Sequence, residues 1–160
     1  MSRIKGFRAP LLAVNQAMYT ALDDRGYTYD SSIAMQSPTM PYETGEGMWE
    51  FPLAHIAYNG DASRKLIAMD YNFYVRQTNA QDILIKDTPQ WNKNYEEVVQ
   101  SYRDYFNEQY NGERIPIVIV NHFSLWNDGL YWDALKQFIY EVCGKTNVKC
   151  VTFEEWMAEK

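Results

Sequence analysis

Histidine and cysteine are scarce in this chain of 160 residues, which has two of each: His55 and His122, Cys143 and Cys150. The histidines lie far apart and the cysteines have no other ligand type beside them. That excludes a zinc centre built by this chain alone from closely spaced Cys and His. Basic residues are also few and scattered: 15 Lys and Arg stand against 21 Asp and Glu, for a net charge of −6. Nucleic acid needs concentrated cationic charge, so it is not expected as a partner. No apolar run approaches the roughly 18 residues of a membrane span, which argues against a membrane protein. Also missing are a Gly-rich phosphate loop, a Gly-x-Ser-x-Gly elbow and a Cys/His nucleophile arrangement. The segment from Met1 to Gly6 lacks the apolar centre of a signal peptide. It reads as a start inside a β-strand, which fits a truncated gene or a chain cut from a longer one. Repeats, low-complexity tracts and linkers are absent too, so residues 1–160 read as one domain.

Aromatic residues, by contrast, are abundant, with 13 Tyr, 7 Phe and 5 Trp. Such rings fill cores and interfaces, and an exposed subset would suit a groove where flat rings stack on sugar faces. Cys143 and Cys150 flank six residues. The spacing permits a small disulfide loop, and two free buried thiols fit equally well.

Strand-like and helix-like patterns alternate. Arg3 to Arg8 reads as a strand that ends at Ala9-Pro10. Asn15 is placed to cap a helix through Asp24, with Gly26 stopping it. Tyr27 to Ser31 reads as a second strand and Ser37 to Gly47 as a loop. Trp49 to Tyr58 reads as a strand in which Pro52 marks a bulge or an edge position, and Asp61 to Lys65 as a polar turn. Leu66 to Val75 has no clean period and fits either strand or helix. Asn94-Tyr95-Glu96-Glu97 has the form of a capping box; it would open a helix that Asn111-Gly112 closes. Ile115 to Asn121, continuous and β-branched, predicts a strand buried on both faces of a parallel sheet. A helix from Leu130 to Val142, a strand from Val148 to Thr152 and a capped final turn carrying Trp156 complete the pattern. This order is α/β, in the form of a doubly wound sheet or part of a (β/α) barrel. Both folds place chemistry at the C-terminal ends of strands, where Arg8, Asp30 and His122 all fall. A histidine there faces a mouth, and its ordinary titration range suits proton donation near neutrality. Arg8 would orient a carboxylate and hold it ionised. Asp30 would sit against the imidazole and set its tautomer. His55, inside a strand, reads as structural or groove-lining.

The segments Gly6-Phe7-Arg8-Ala9-Pro10, Tyr29-Asp30-Ser31-Ser32, Trp49-Glu50-Phe51-Pro52-Leu53, Ile119-Val120-Asn121-His122 and Val151-Thr152 leading into Trp156-Met157 stand in a telling order. They resemble the later motifs of the polysaccharide deacetylase family, most closely its chitin-deacetylase-like branch. The resemblance implies a distorted (β/α) barrel of which this chain is the C-terminal half. It also implies removal of acetyl groups from chitin-like or peptidoglycan-like polymers, in a secreted or periplasmic setting. By that resemblance Arg8 orients the catalytic base, His122 is the general acid and Ile119 helps form the pocket for the acetyl methyl. Asp30 is a looser carry-over for the group that tunes His122, and Trp49 and Trp126 are candidate sugar-stacking positions. The family's Thr-Phe-Asp-Asp-Gly and His-x-x-x-His motifs, which supply the base and the ligands of zinc or another divalent metal, have no counterpart in this sequence. The chain alone is therefore expected to hold no metal and to be inactive. The expected partners are an acetylated polysaccharide or oligosaccharide, and a missing N-terminal half or a second copy. The alternative is a non-catalytic carbohydrate-binding or self-associating half-barrel.

Overall fold

The computed structural model describes residues 3–45 and 47–160. Met1, Ser2 and Glu46, which fall in the expected start and the Ser37 to Gly47 loop, lie outside the described residues. Among the described residues, seven strands, β1 (Gly6–Phe7), β2 (Tyr29–Asp30), β3 (Ala34–Met35), β4 (Tyr42–Glu43), β5 (Trp49–Glu50), β6 (Leu53–Tyr58) and β7 (Asp61–Ile67), accompany five α-helices. The helices are α1 (Gln16–Asp24), α2 (Asp70–Thr78), α3 (Pro89–Asn111), α4 (Trp126–Val142) and α5 (Phe153–Met157).

The fold is mixed α/β. One sheet has the order β1-β2-β5-β4 and the other β3-β6-β7. β1, β2 and β5 run parallel, while β4 turns back antiparallel on β5. Among the described residues these two sheets do not close into a barrel. The expected strand Trp49 to Tyr58 is divided at Phe51-Pro52, and its two parts serve different sheets. Pro52 has no N–H for a ladder, so the chain changes sheet where a ladder bond is already lost. The expected polar turn at Asp61 to Lys65 is instead the first part of β7, an edge strand with a mostly exposed face. The expected loop contains β4.

The helices follow their capping chemistry. Asn15 Oδ1 accepts the Met18 N–H at 2.9 Å and opens α1; Gly26, at φ +68, ends the turn beyond it. α3 is capped six residues before the expected cap Asn94, by Thr88, and Pro89 occupies its first position. Asn94 is therefore buried inside the helix, accepting from Gln90 Nε2 at 2.7 Å. α5 carries a complete capping box between Thr152 and Glu155. In α4 the backbone at Asn127, Asp128 and Gly129 is left-handed, so regular helix begins at Leu130.

The main core lies between α3, α4 and β6, around Phe73, Val98, Val99, Tyr102, Leu130 and Phe138. Each such side chain contributes about 1.5–3 kcal/mol by leaving water. A second cluster, Phe51, Leu53, Met69, Val118 and Val120, is backed by Tyr29, Trp49, Phe153 and Trp156. Ile115 to Asn121, expected as a strand buried on both faces, forms no strand: Val118 and Val120 are buried in the second cluster, while Ile117 and Ile119 are only partly buried against the main core. Its one bridge is the parallel pairing of Val120 with Met69. Val148 to Thr152 forms no strand; it is tied to α4 by a disulfide between Cys143 and Cys150.

Candidate functional site

Arg8, Asp30 and Glu50 follow or end three neighbouring parallel strands, in a register that sets Phe7 beside Asp30 and Asp30 beside Glu50. Asp30, Ser31, Ser32 and Glu50 are all buried. Arg8 Nε donates to the Ser31 carbonyl and Nη2 to Ser31 Oγ, both at 2.7 Å. Asp30 accepts from Ser32 N at 3.0 Å and from Ser32 Oγ at 2.8 Å. Glu50 Oε1 accepts the Ile33 N–H at 3.1 Å, and the Glu50 carboxyl, once protonated, donates to the Asp30 side chain. Burial, reinforced by Asp30 alongside, pushes the Glu50 carboxyl up to about 8. Near neutrality Glu50 therefore keeps its proton. Burial lowers the Arg8 guanidinium, and the charges of Asp30 and Glu50 oppose that shift.

The second group sits where β7 gives way to α2. Asp70 N–H donates to the Val120 carbonyl at 3.0 Å, which brings the first residue of α2 against the chain just before His122. Asp70 is 1% exposed. Its Oδ1 accepts from Tyr71 N and meets His122 Nδ1, each at 2.7 Å. Its Oδ2 accepts the His122 backbone N–H, also at 2.7 Å. A carboxylate facing Nδ1 from both sides of the residue fixes the ring and places the proton on Nδ1. Nε2 then points away on a half-exposed side chain. Trp126 lies 5.4 Å and Tyr71 6.2 Å from the imidazole, and Trp126 is stacked on Tyr74 at 4.7 Å. Beside the imidazole in sequence, the buried carboxamide of Asn121 has no partner on either Nδ2 or Oδ1 among the described residues.

The carboxylate on His122 is thus Asp70, not Asp30, whose oxygens are taken by Ser32. This corrects the expected pairing. Arg8 stands at its strand end and is held by Ser31. Trp126 flanks His122. Trp49 instead packs edge-on against Trp156 at 5.3 Å, and Ile119 packs on the main core and borders an apolar hollow of about 650 Å³. His55 Nδ1 lies 2.9 Å from the Met35 carbonyl inside its sheet. Sequence reasoning missed Asp70, Tyr71 and the role of Glu50. A carboxylate at the point where Leu66-Ile67-Ala68-Met69 changes from strand to helix was the available signal for Asp70.

Among the described residues no three His, Cys, Asp or Glu side chains are grouped to hold a metal ion. No helix among them is long and apolar enough to cross a membrane.

No protein-family model matches the sequence, and no curated protein matches it. A solved structure does: a "putative polysaccharide deacetylase" from Mycobacterium smegmatis, at 22% identity and a TM-score of 0.63. The match covers 96% of this chain and 48% of that one. This chain thus has a fold of the polysaccharide-deacetylase kind, over about half the length of the structure that shares it.

Proposed function

We propose that this chain is the C-terminal portion of a polysaccharide deacetylase acting on a chitin-like polymer, supplying the acid side of the site and lacking the base side. The observation that carries this reading is the Asp70–His122 pair. Asp70 is buried with both oxygens hydrogen-bonded, and it holds Nδ1 of His122 at 2.7 Å on a half-exposed side chain whose Nε2 it does not touch. In this role Nε2 carries the proton that passes to the departing amine when the amide C–N bond breaks. Asp70 holds the Nδ1–H and stabilises the positive ring during the exchange. Arg8, fixed by Ser31, turns its remaining N–H groups to a carboxylate from outside the chain. Trp126 and Tyr71 would bound the site with flat aromatic faces.

The attacking water has no base in these residues, and the family's metal has no ligand set here. Both would come from further residues of a longer polypeptide or from a second chain. The partnerless amide of Asn121 supports incompleteness, since a buried polar group left unpaired costs about 1–3 kcal/mol. Acetate release from chitohexaose tests the reading. The chain alone should release none. Mixed with the base- and metal-bearing segment of a complete deacetylase and Zn²⁺, it should release acetate. Failure of the mixture, with both parts folded, would sink it.

A further inference from the structure

Away from His122, a second concave site lies between the start of α3 and the exposed face of α4. It is a shallow hollow of about 410 Å³ lined by Lys86, Trp91, Tyr95, Asp133, Lys136, Gln137 and Tyr140. Three of these seven side chains are aromatic and four carry polar heads, and there is no aliphatic side chain among them. We propose that this hollow is a subsite for a neutral pyranose ring of a polysaccharide, separate from the His122 mouth. The inference rests on the reading above that the chain acts on a saccharide polymer.

The aromatic floor is rigid. Trp91 and Tyr95, one helical turn apart, stack with centroids 5.2 Å apart and planes 10° from parallel. The Trp91 indole N–H is anchored to the Asn127 carbonyl at 2.8 Å. Asn127 is itself buried and bonded to Ile83, Leu84, Thr78 and Tyr131. Trp91 is itself only 4% exposed, so it is the rigid backing that holds Tyr95 in place, and the ring faces open to a ligand are those of Tyr95 and Tyr140. Tyr140, 91% exposed, offers a further free ring at the rim.

The polar wall supplies donor and acceptor together. Asp133 is shared by Lys86 Nζ at 2.8 Å and Lys136 Nζ at 2.9 Å. An ammonium has three N–H donors, so each lysine keeps spare ones. Lys86 also lies 5.8 Å over the Trp91 ring. The asymmetry of a pyranose matches this: its C–H faces suit aromatic rings and its hydroxyls suit ammonium and carboxylate heads. A lipid tail or an apolar peptide side chain would want the aliphatic lining that is missing. Asp87 and Asp128 also act on Lys86. With Asp133 they leave no surplus of positive charge, so the fit is to a neutral sugar rather than an acidic one. A polymer held both here and at His122 would gain from effective concentration, since the second contact becomes intramolecular.

Titration of the isotope-labelled chain with chitohexaose, following the indole N–H signals of Trp91 and Trp126 separately, tests this. Saturable movement at Trp91 is expected. Tyr140→Ala combined with Lys136→Met, both exposed positions, should weaken it at least fivefold while the Trp126 response stays unchanged. Movement at Trp126 alone would overturn the subsite and leave the His122 reading standing. Movement at Trp91 alone would support the subsite and count against saccharide binding beside His122. Silence at both, or a double variant that binds like the parent, would overturn the subsite.

Discussion

Raising the pH from 5 to 9 should destabilise this protein through one side chain, Glu50. Its carboxyl is buried beside Asp30 and is shifted from an ordinary value of 4.5 to about 8. In the unfolded chain Glu50 loses its proton near 4.5; in the folded chain it keeps it until about 8. Between those values the folded state binds more protons, so stability falls as pH rises, then levels off above about 8. A difference of about 3.5 units at 1.36 kcal/mol each sets a ceiling of about 5 kcal/mol, and a partly relaxed site would give about 2–3. Urea unfolding at pH 5, 7 and 9 reads this directly. Glu50→Gln supplies the control: its Oε1 still accepts from Ile33 and its amide can donate to Asp30 as the protonated acid does. The variant should lack this part of the pH slope and be the more stable protein at pH 9 by about 2 kcal/mol or more. Parallel pH profiles for parent and variant would refute the account of a proton kept on Glu50.

Asp70→Asn should free the imidazole of His122 from the Nδ1–H form. Nitrogen-15 NMR should show that tautomer in the parent and a shift toward Nε2–H in the variant, with about 1–3 kcal/mol of stability lost at the buried amide. Replacing Cys143 and Cys150 by serine opens a loop of eight residues and should cost about 2 kcal/mol in urea unfolding under oxidising conditions, with no difference once the parent is reduced. Asn127→Ala should cost 3 kcal/mol or more by thermal and urea unfolding combined. It strips the partners of Ile83, Leu84, Thr78 and Tyr131 and leaves alanine at φ 51.

Local signals in the sequence were reliable where the physics is local. Asn15 and Gly26 bound α1, and Thr152 with Glu155 opens α5, because each cap acts within four residues. They failed where a distant partner decides. Asp61 to Ile67 reads as polar because β7 shows most of its length to water, and its pairing with β6 is not visible in its own residues. Asn94 has the form of a cap, yet Thr88-Pro89 starts the helix earlier and buries it. The site divides in the same way. Arg8 and Asp30 were legible as residues at the ends of β1 and β2, while His122 follows only the single bridge at Val120. Asp70 was not legible, since its meeting with an imidazole 52 residues away depends on the Met69–Val120 bridge. Asp30 was then assigned a partner that Asp70 already holds. Glu50 became significant only when the parallel register set it beside Asp30.

Acetate release under complementation, with His122 as the variable, bears most directly on the proposed role. With the base- and metal-bearing segment and chitohexaose held constant, the parent chain should release acetate. His122→Ala, folded to the same extent, should lose at least a hundredfold in rate, in line with the usual contribution of a general acid. Equal rates for the two chains would contradict the assignment of the Asp70–His122 pair as the proton donor.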